Sequence, residues 1–181
     1  MIMSKGTSKN GQSQKQNEMP NAHLHELFID ELKDMYNAER QLTKGLKKLH
    51  GQAKNEQLKD AFKAHLKETE NHIESLKKVF DLMGVAARGK KCKAMEGLLN
   101  EADEILEEFE DSEALDAALI TAAQKVEHYE IASYGCMATF ASLMEHTEAA
   151  EILNQILEEE KATDAKLTDI AMSWANVAET K

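Results

Sequence analysis

Proline, cysteine and aromatic residues are scarce in this chain of 181 residues. One Pro (Pro20), eight Gly and 5% aromatic residues cannot supply the turns and the strand-forming side chains that a β-sandwich or barrel needs. Two cysteines, Cys92 and Cys136, make no disulfide framework, so a reducing, cytoplasmic setting is expected. No apolar run approaches the ~20 residues that span a bilayer, and no membrane association is expected. The opening stretch MIMSKGTSKNGQSQKQNEMP lacks the apolar segment of a signal peptide and the Arg-rich amphipathy of a transit peptide. Basic charge is also short: 22 Lys and Arg face 33 Asp and Glu, a net charge of −11. Phosphate recognition needs a basic surface, so nucleic acid is not an expected partner. Acidity by itself chiefly favours solubility, while remaining compatible with bound cations.

What the chain does have is apolar residues, 42% of the total, spaced for helices. Residues 1–21 read as a disordered polar tail, and residues 22–176 as one domain. In its first segment Leu24, Phe28, Met35, Leu42, Leu46 and Leu49 recur at helical steps, ending near Gly51. The second carries Phe62, Leu66, Thr69, Ile73, Leu76 and Phe80 and ends at Gly84. A polar link with Gly89 and Lys90, Lys91 and Lys93 follows, then a short helix around 94–109. Ser112 with Glu113 and Asp116 reads as an N-cap and acidic first turn. The third long segment holds Leu119, Val126, Met137 and Phe140; the fourth holds Leu153, Ile156, Leu157, Leu167 and Ile170. Four long helices of about 29 residues with two tight links and one long one predict an all-α fold. The layout is that of a ferritin-like four-helix bundle, with a short fifth helix in the long crossover.

Acids and a histidine interrupt the apolar stripes. Glu39, His65, Glu68, Glu127, Glu130 and Glu160 all lie on or beside the inner faces. An ionised carboxylate buried without a partner costs several kcal/mol or is forced to protonate, and bound cations remove both penalties at once. Glu39 and His65 are equidistant from Gln52 in the first link, and Glu130 and Glu160 from Glu145 in the second. Both pairs therefore fall ~20 Å from their turns, near mid-height of a ~43 Å bundle. Glu31 and His72 mirror each other farther from the first link. Non-haem di-metal sites in such bundles draw one Glu from each of two helices and a Glu-x-x-His pair from each of the others. Here the second segment has the reverse order, His65-x-x-Glu68, the third reads Glu127-x-x-Glu130, and in the fourth Glu160 is followed by Thr163 and Asp164 rather than a histidine. The expected site is rich in carboxylate and poor in imidazole, a donor set suited to iron or manganese.

The stretches YNAERQL (36–42), FKAHLKET (62–69), CKAMEGL (92–98), AQKVEHYEIASY (123–134) and LEEEKATD (157–164) resemble the YciF-like stress proteins of the ferritin-like superfamily. The resemblance covers about residues 22–175. It implies a ferritin-like bundle, a homodimer, a role under stress and a di-metal site of two iron or manganese ions. Glu39, His65, Glu68, Glu127, Glu130 and Glu160 fall on its motifs; His72 does not.

Each residue also has a plainer role. Glu39 can pair with a Lys or Arg, His65 can be a core-edge histidine, and Glu158 to Glu160 can form a solvated face. Tyr129 and Tyr134 read as packing aromatics, and Cys92 as a structural thiol at a helix start. Three functions compete: a di-metal protein acting on oxygen or peroxide species, a metal binder without turnover, and a purely structural stress protein. Small residues on the third segment (Ala122, Ala123, Ala138, Ala141) would let a second copy approach closely. Because residues 1–20 lack apolar periodicity, their deletion should leave the melting temperature within error. A large drop on calorimetry would show that they pack.

Overall fold

The computed structural model describes residues 21–175. The expected tail lies outside these residues except for Asn21, as does residue 176, the expected end of the domain. Five α-helices and no strands form among the described residues: α1 (Ala22–Gln52), α2 (Glu56–Leu82), α3 (Lys93–Phe109), α4 (Leu115–Leu143) and α5 (Thr147–Ile170). A π turn at Ala171–Ala175 continues α5. The four long helices have 31, 27, 29 and 24 residues.

Each helix buries most of the stripe its spacing marks, with Leu24, Leu66, Ile73, Phe140 and Leu157 half-buried at the edges. On α1, Phe28, Leu32, Met35, Leu42, Leu46 and Leu49 are all inside, because steps of three and four keep them on one face. Asn55 starts α2 by accepting from the N–H groups of Gln57 and Leu58. α2 ends on Gly84 at φ +66°, with the Val85 N–H returning to the Phe80 carbonyl at 3.1 Å. That left-handed step is cheap for glycine. The α4–α5 turn closes the same way at Glu145 (φ +61°), where the His146 N–H reaches the Ala141 carbonyl at 2.9 Å. There a side chain bears the cost of ~1 kcal/mol or more.

α1 packs on α2 and α4, α5 packs on α2 and α4, and α3 lies against α1 and α4. His25 meets His146 at one end of the α1–α4 seam, while residues 54 and 55 meet Asp116 at the other. The two helices are therefore antiparallel. α2 and α5 are too, since His72 touches Glu159 and Glu68 touches Thr163. Residues 83–114, α3 included, connect α2 to α4. Their start is strapped to α1: the Lys90 N–H donates to the Lys33 carbonyl (3.2 Å) and the Cys92 N–H to Asn37 Oδ1 (2.8 Å). A Cβ on Gly89 would sit 3.3 Å from the Asn37 backbone nitrogen, so this approach favours a residue without one.

Two expectations need correcting. Ser112 does not cap the long helix; its hydroxyl accepts from the Ala114 N–H at 3.0 Å, and α4 starts at Leu115 without a side-chain cap. Ala122, Ala123, Ala138 and Ala141 are buried within the single chain, so they are not a free surface for a second copy. Asp116, read as a first-turn acid, has another task. It is buried, and its two oxygens accept from the N–H groups of Lys54 and Asn55, each at 2.8 Å. It thereby ties the α1–α2 link to the start of α4. Charge-assisted bonds of this kind contribute about 1.5–3 kcal/mol each. Asp116→Ala should lower unfolding free energy in urea by about 2–4 kcal/mol; a loss below ~0.5 kcal/mol would show that water replaces the anchor.

Candidate metal centre

The polar side chains enter the core from four helices. α1 contributes Glu39, α2 His65, Thr69 and His72, α4 Glu127, Glu130 and Tyr134, and α5 Glu160; all are buried. On α2 the three positions follow steps of four and three, so one face carries them all. They gather in two clusters. Ligand atoms of His65, Glu127, Glu130 and Glu160 lie within 4.8 Å of one another, and so do those of Glu39, His72 and Glu160. Glu160 belongs to both.

Of the six residues expected from the sequence, Glu39, His65, Glu127, Glu130 and Glu160 come together in these clusters. Glu68 joins neither. Its side chain is 44% exposed, with Oε2 3.6 Å from His65 Nδ1 and 3.4 Å from the Thr163 hydroxyl that donates to it. His72 moves the other way, from an off-centre position into the second cluster. The cause is the first link, which runs over residues 53–55 rather than centring on Gln52. The level opposite Glu39 thereby moves from His65 to Thr69, within a turn of His72, whose Nδ1 lies 3.5 Å from Glu39 Oε1; His65 faces Glu127 on α4 instead (Nε2 to Oε1, 3.0 Å). The available signal was His72 sharing the face of His65 and Thr69. Glu31 lies elsewhere, in an α1–α4 groove beside Leu27 and Cys136. Asp164 stands at the α4–α5 edge near Gln124 (3.1 Å) and His128 (3.3 Å).

Tyr134, read as packing, is fully buried and also donates its phenol O–H to Glu39 Oε1. Cys92 is the structural thiol expected. Its sulfur accepts from the Met95 N–H at the start of α3 and contacts the Tyr129 hydroxyl at 3.1 Å. Burial, then Asp34, pushes this thiol above its ordinary value despite the nearby lysines.

The clusters are electrostatically unbalanced. Both carboxylate oxygens of Glu130 and of Glu160 are buried without a hydrogen-bond partner. His72 Nδ1 stands 3.0 Å from Glu160 Oε1, yet both atoms lack a hydrogen bond. The contact is off the hydrogen-bond axis and acts through charge. The outer nitrogen of His72, Nε2, is bonded to Glu159 at 2.8 Å. Burial raises the Glu39 and Glu160 carboxyls, with His72 offsetting part of the effect. Burial, followed by the charges of Glu160, Glu39 and Glu127, raises Glu130 well above the carboxylate range. Burial disfavours charged imidazole, but Glu127, Glu68 and Glu160 together outweigh it and lift His65 to about 10. Glu160 and Glu39 do the same for His72, lifting it to about 11. Among the described residues no buried Lys or Arg balances these acids, and no helix is long and apolar enough to cross a membrane.

Fold and site together define a helical bundle with a mixed carboxylate–imidazole core. The chain belongs to the family described as "Domain of unknown function (DUF892)", whose model matches residues 23–179, and to the YciF-like proteins within it. Protein YciF of Escherichia coli K12 is 51% identical over 154 residues, 84% of this chain and 93% of that protein. The crystal structure of the E. coli stress protein YciF superposes with a TM-score of 0.81, covering 84% of this chain and 97% of the other. YcfI of Rhodopseudomonas palustris, 40% identical, gives 0.79 over 84% and 96% of the two chains.

The shifted groups set a pH dependence for the metal-free protein. His65 and His72 have folded-state values above the ordinary 6.5. Their stabilising contribution is full below pH 6.5 and is lost as pH rises toward about 10 and 11. Unfolding free energy without metal should fall by about 5 kcal/mol between pH 7 and 9, nearly one proton per histidine over two pH units. Urea melts across this range check it; a flat profile would show that the imidazoles are not held protonated by the acids.

Proposed function

We propose that this chain is a ferritin-like stress-response protein whose core binds two iron or manganese ions and acts on oxygen or peroxide species. Residues 83–114 serve as the single long crossover of that architecture. The observation that carries the reading is Glu130: both of its oxygens are buried and unpartnered among three more acids. Charge arithmetic supports two ions. Glu39, Glu127, Glu130 and Glu160 bring −4, two divalent cations bring +4, and the sum is zero with both imidazoles neutral. Two protonated histidines alone leave −4 + 2 = −2 in the core.

His65, Glu127, Glu130 and Glu160 would hold one ion, and Glu39, His72 and Glu160 the other, with Glu160 shared. Bound there, the metals supply redox equivalents that the side chains lack. The chain's own part is to fix geometry and exclude bulk water. Tyr134 holds one oxygen of Glu39, and Glu159 holds the outer nitrogen of His72, the usual way of orienting a ligand from behind. The stress role follows from the relationship to YciF. A homodimer in the cytoplasm, without nucleic-acid partners, completes the proposal.

A second reading has its own support. The imidazole–carboxylate contacts partly balance the core without metal, and the R. palustris relative carries a provisional description as a structural protein. Metal analysis after mild purification separates the two, and peroxide consumption then separates turnover from storage. Glu130→Ala should cut bound metal from two ions per chain to one or none, while the metal-free fold keeps its stability within ~1 kcal/mol because like charges are relieved. Mass spectrometry and urea melts on the same variant check this. Unchanged metal with a loss of ~3–5 kcal/mol would instead mark Glu130 as half of a structural ion pair.

A further inference from the structure

The seam between α2 and α5 is open beside the first cluster. A cleft of about 150 Å³ lies there, with Phe62, His65 and Glu68 on one wall and Glu159, Thr163 and Lys166 on the other. At ~30 Å³ per water, it holds about five, room for a cation that keeps part of its hydration shell. His65 links the cleft to the interior. Its side chain is 3% exposed, it lines the cleft, and neither ring nitrogen has a hydrogen-bond partner. Nδ1 faces Glu68 and Nε2 faces Glu127, so the ring stands between an outer and an inner carboxylate.

The lip of the cleft carries charge of the right sign. At the mouth, Glu68 and Glu159 are 44% and 38% exposed against one base, Lys166; His65 lies deeper, 3% exposed, and an ion that passes inward displaces its proton. Glu68 is thus near a cluster ligand without belonging to a cluster. We propose that this cleft is the port by which hydrated divalent cations reach the buried acids, with Glu68 an outer capture residue rather than a permanent ligand. The proposal rests on the metal-centre reading above and assigns Glu68 a different task from its neighbours. A carboxylate at the mouth concentrates cations and speeds their capture; once an ion has moved inward, Glu68 is free for the next.

Stopped-flow mixing of the metal-free full chain with cobalt(II) tests it. The visible absorbance reports replacement of water by protein ligands, and mass spectrometry after desalting gives the final content. Glu68→Gln should slow loading about fivefold and Lys166→Gln should hasten it about twofold, with both variants reaching the wild-type cobalt content. Ala162→Trp sits at an exposed position on the cleft wall; the indole would cover the opening and should slow loading by about tenfold or more, since a closed port removes the route. Wild-type rates in both Glu68→Gln and Ala162→Trp would overturn the port. A lower final cobalt content in Glu68→Gln would overturn the capture role and make Glu68 a ligand. Wild-type protein that takes up no cobalt would remove the metal centre and the port together, an outcome distinct from normal content reached at unchanged rates.

Discussion

Four carboxylates, those of Glu39, Glu127, Glu130 and Glu160, share a helical core in which no described Lys or Arg is buried. Their repulsion has to be balanced before helices can close around them, because a dry interior screens charge poorly. Protons are one remedy, and the raised carboxyls and imidazoles show the core holding on to them. Cations are the other. Either way, the acids impose a requirement that apolar packing alone does not meet, and the surrounding structure is arranged to bear it.

Apolar layers flank the acidic one on both sides. Phe28, Leu32, Leu76, Phe80 and Leu153 fill the end near the α4–α5 turn, while Leu46, Leu58, Phe62, Leu119 and Leu167 fill the end near the α1–α2 link. Each large apolar side chain contributes about 1.5–3 kcal/mol on burial, so a strained middle can be carried by well-packed ends. Polar clamps then fix the helices lengthwise. Asp116 holds the first link against α4, and the strap through Gly89 and Cys92 holds the connection against α1. The first clamp fixes α1 and α2 against α4 at one end of the bundle, and the second meets α1 at Lys33 and Asn37, beside Glu39 of the acid layer.

Much of this is legible in the sequence, and what is not has a local cause. Helical spacing located the long helices, since steps of three and four leave little alternative for stripes such as Phe28 to Leu49. The depth argument brought Glu130 and Glu160 to one level because the second link is short and centred on Glu145. The same argument paired Glu39 with His65, whereas the structure sets it against His72. A link centred two residues later moves the level opposite Glu39 by four residues, about one turn along α2, away from His65 and toward His72, which shares its face. Asp116 was hidden for another reason. Its partners are main-chain N–H groups more than sixty residues earlier, a contact that no spacing along one helix can signal. Tyr134 illustrates a third limit: burial was predictable from its stripe, but the acid its hydroxyl would meet was not.

Glu160 stands in both clusters while every other member stands in one. Of the residues that converge, α5 therefore supplies just one, yet neither group is complete without it. The two halves of the centre cannot vary independently: whatever occupies or protonates one side changes the charge and orientation of an oxygen donor on the other. In genetic language, substitutions at Glu39 or Glu127 are single lesions, whereas one at Glu160 is pleiotropic by construction. The shared carboxylate makes the acid layer one unit with a single point of failure, located on the shortest of the four long helices.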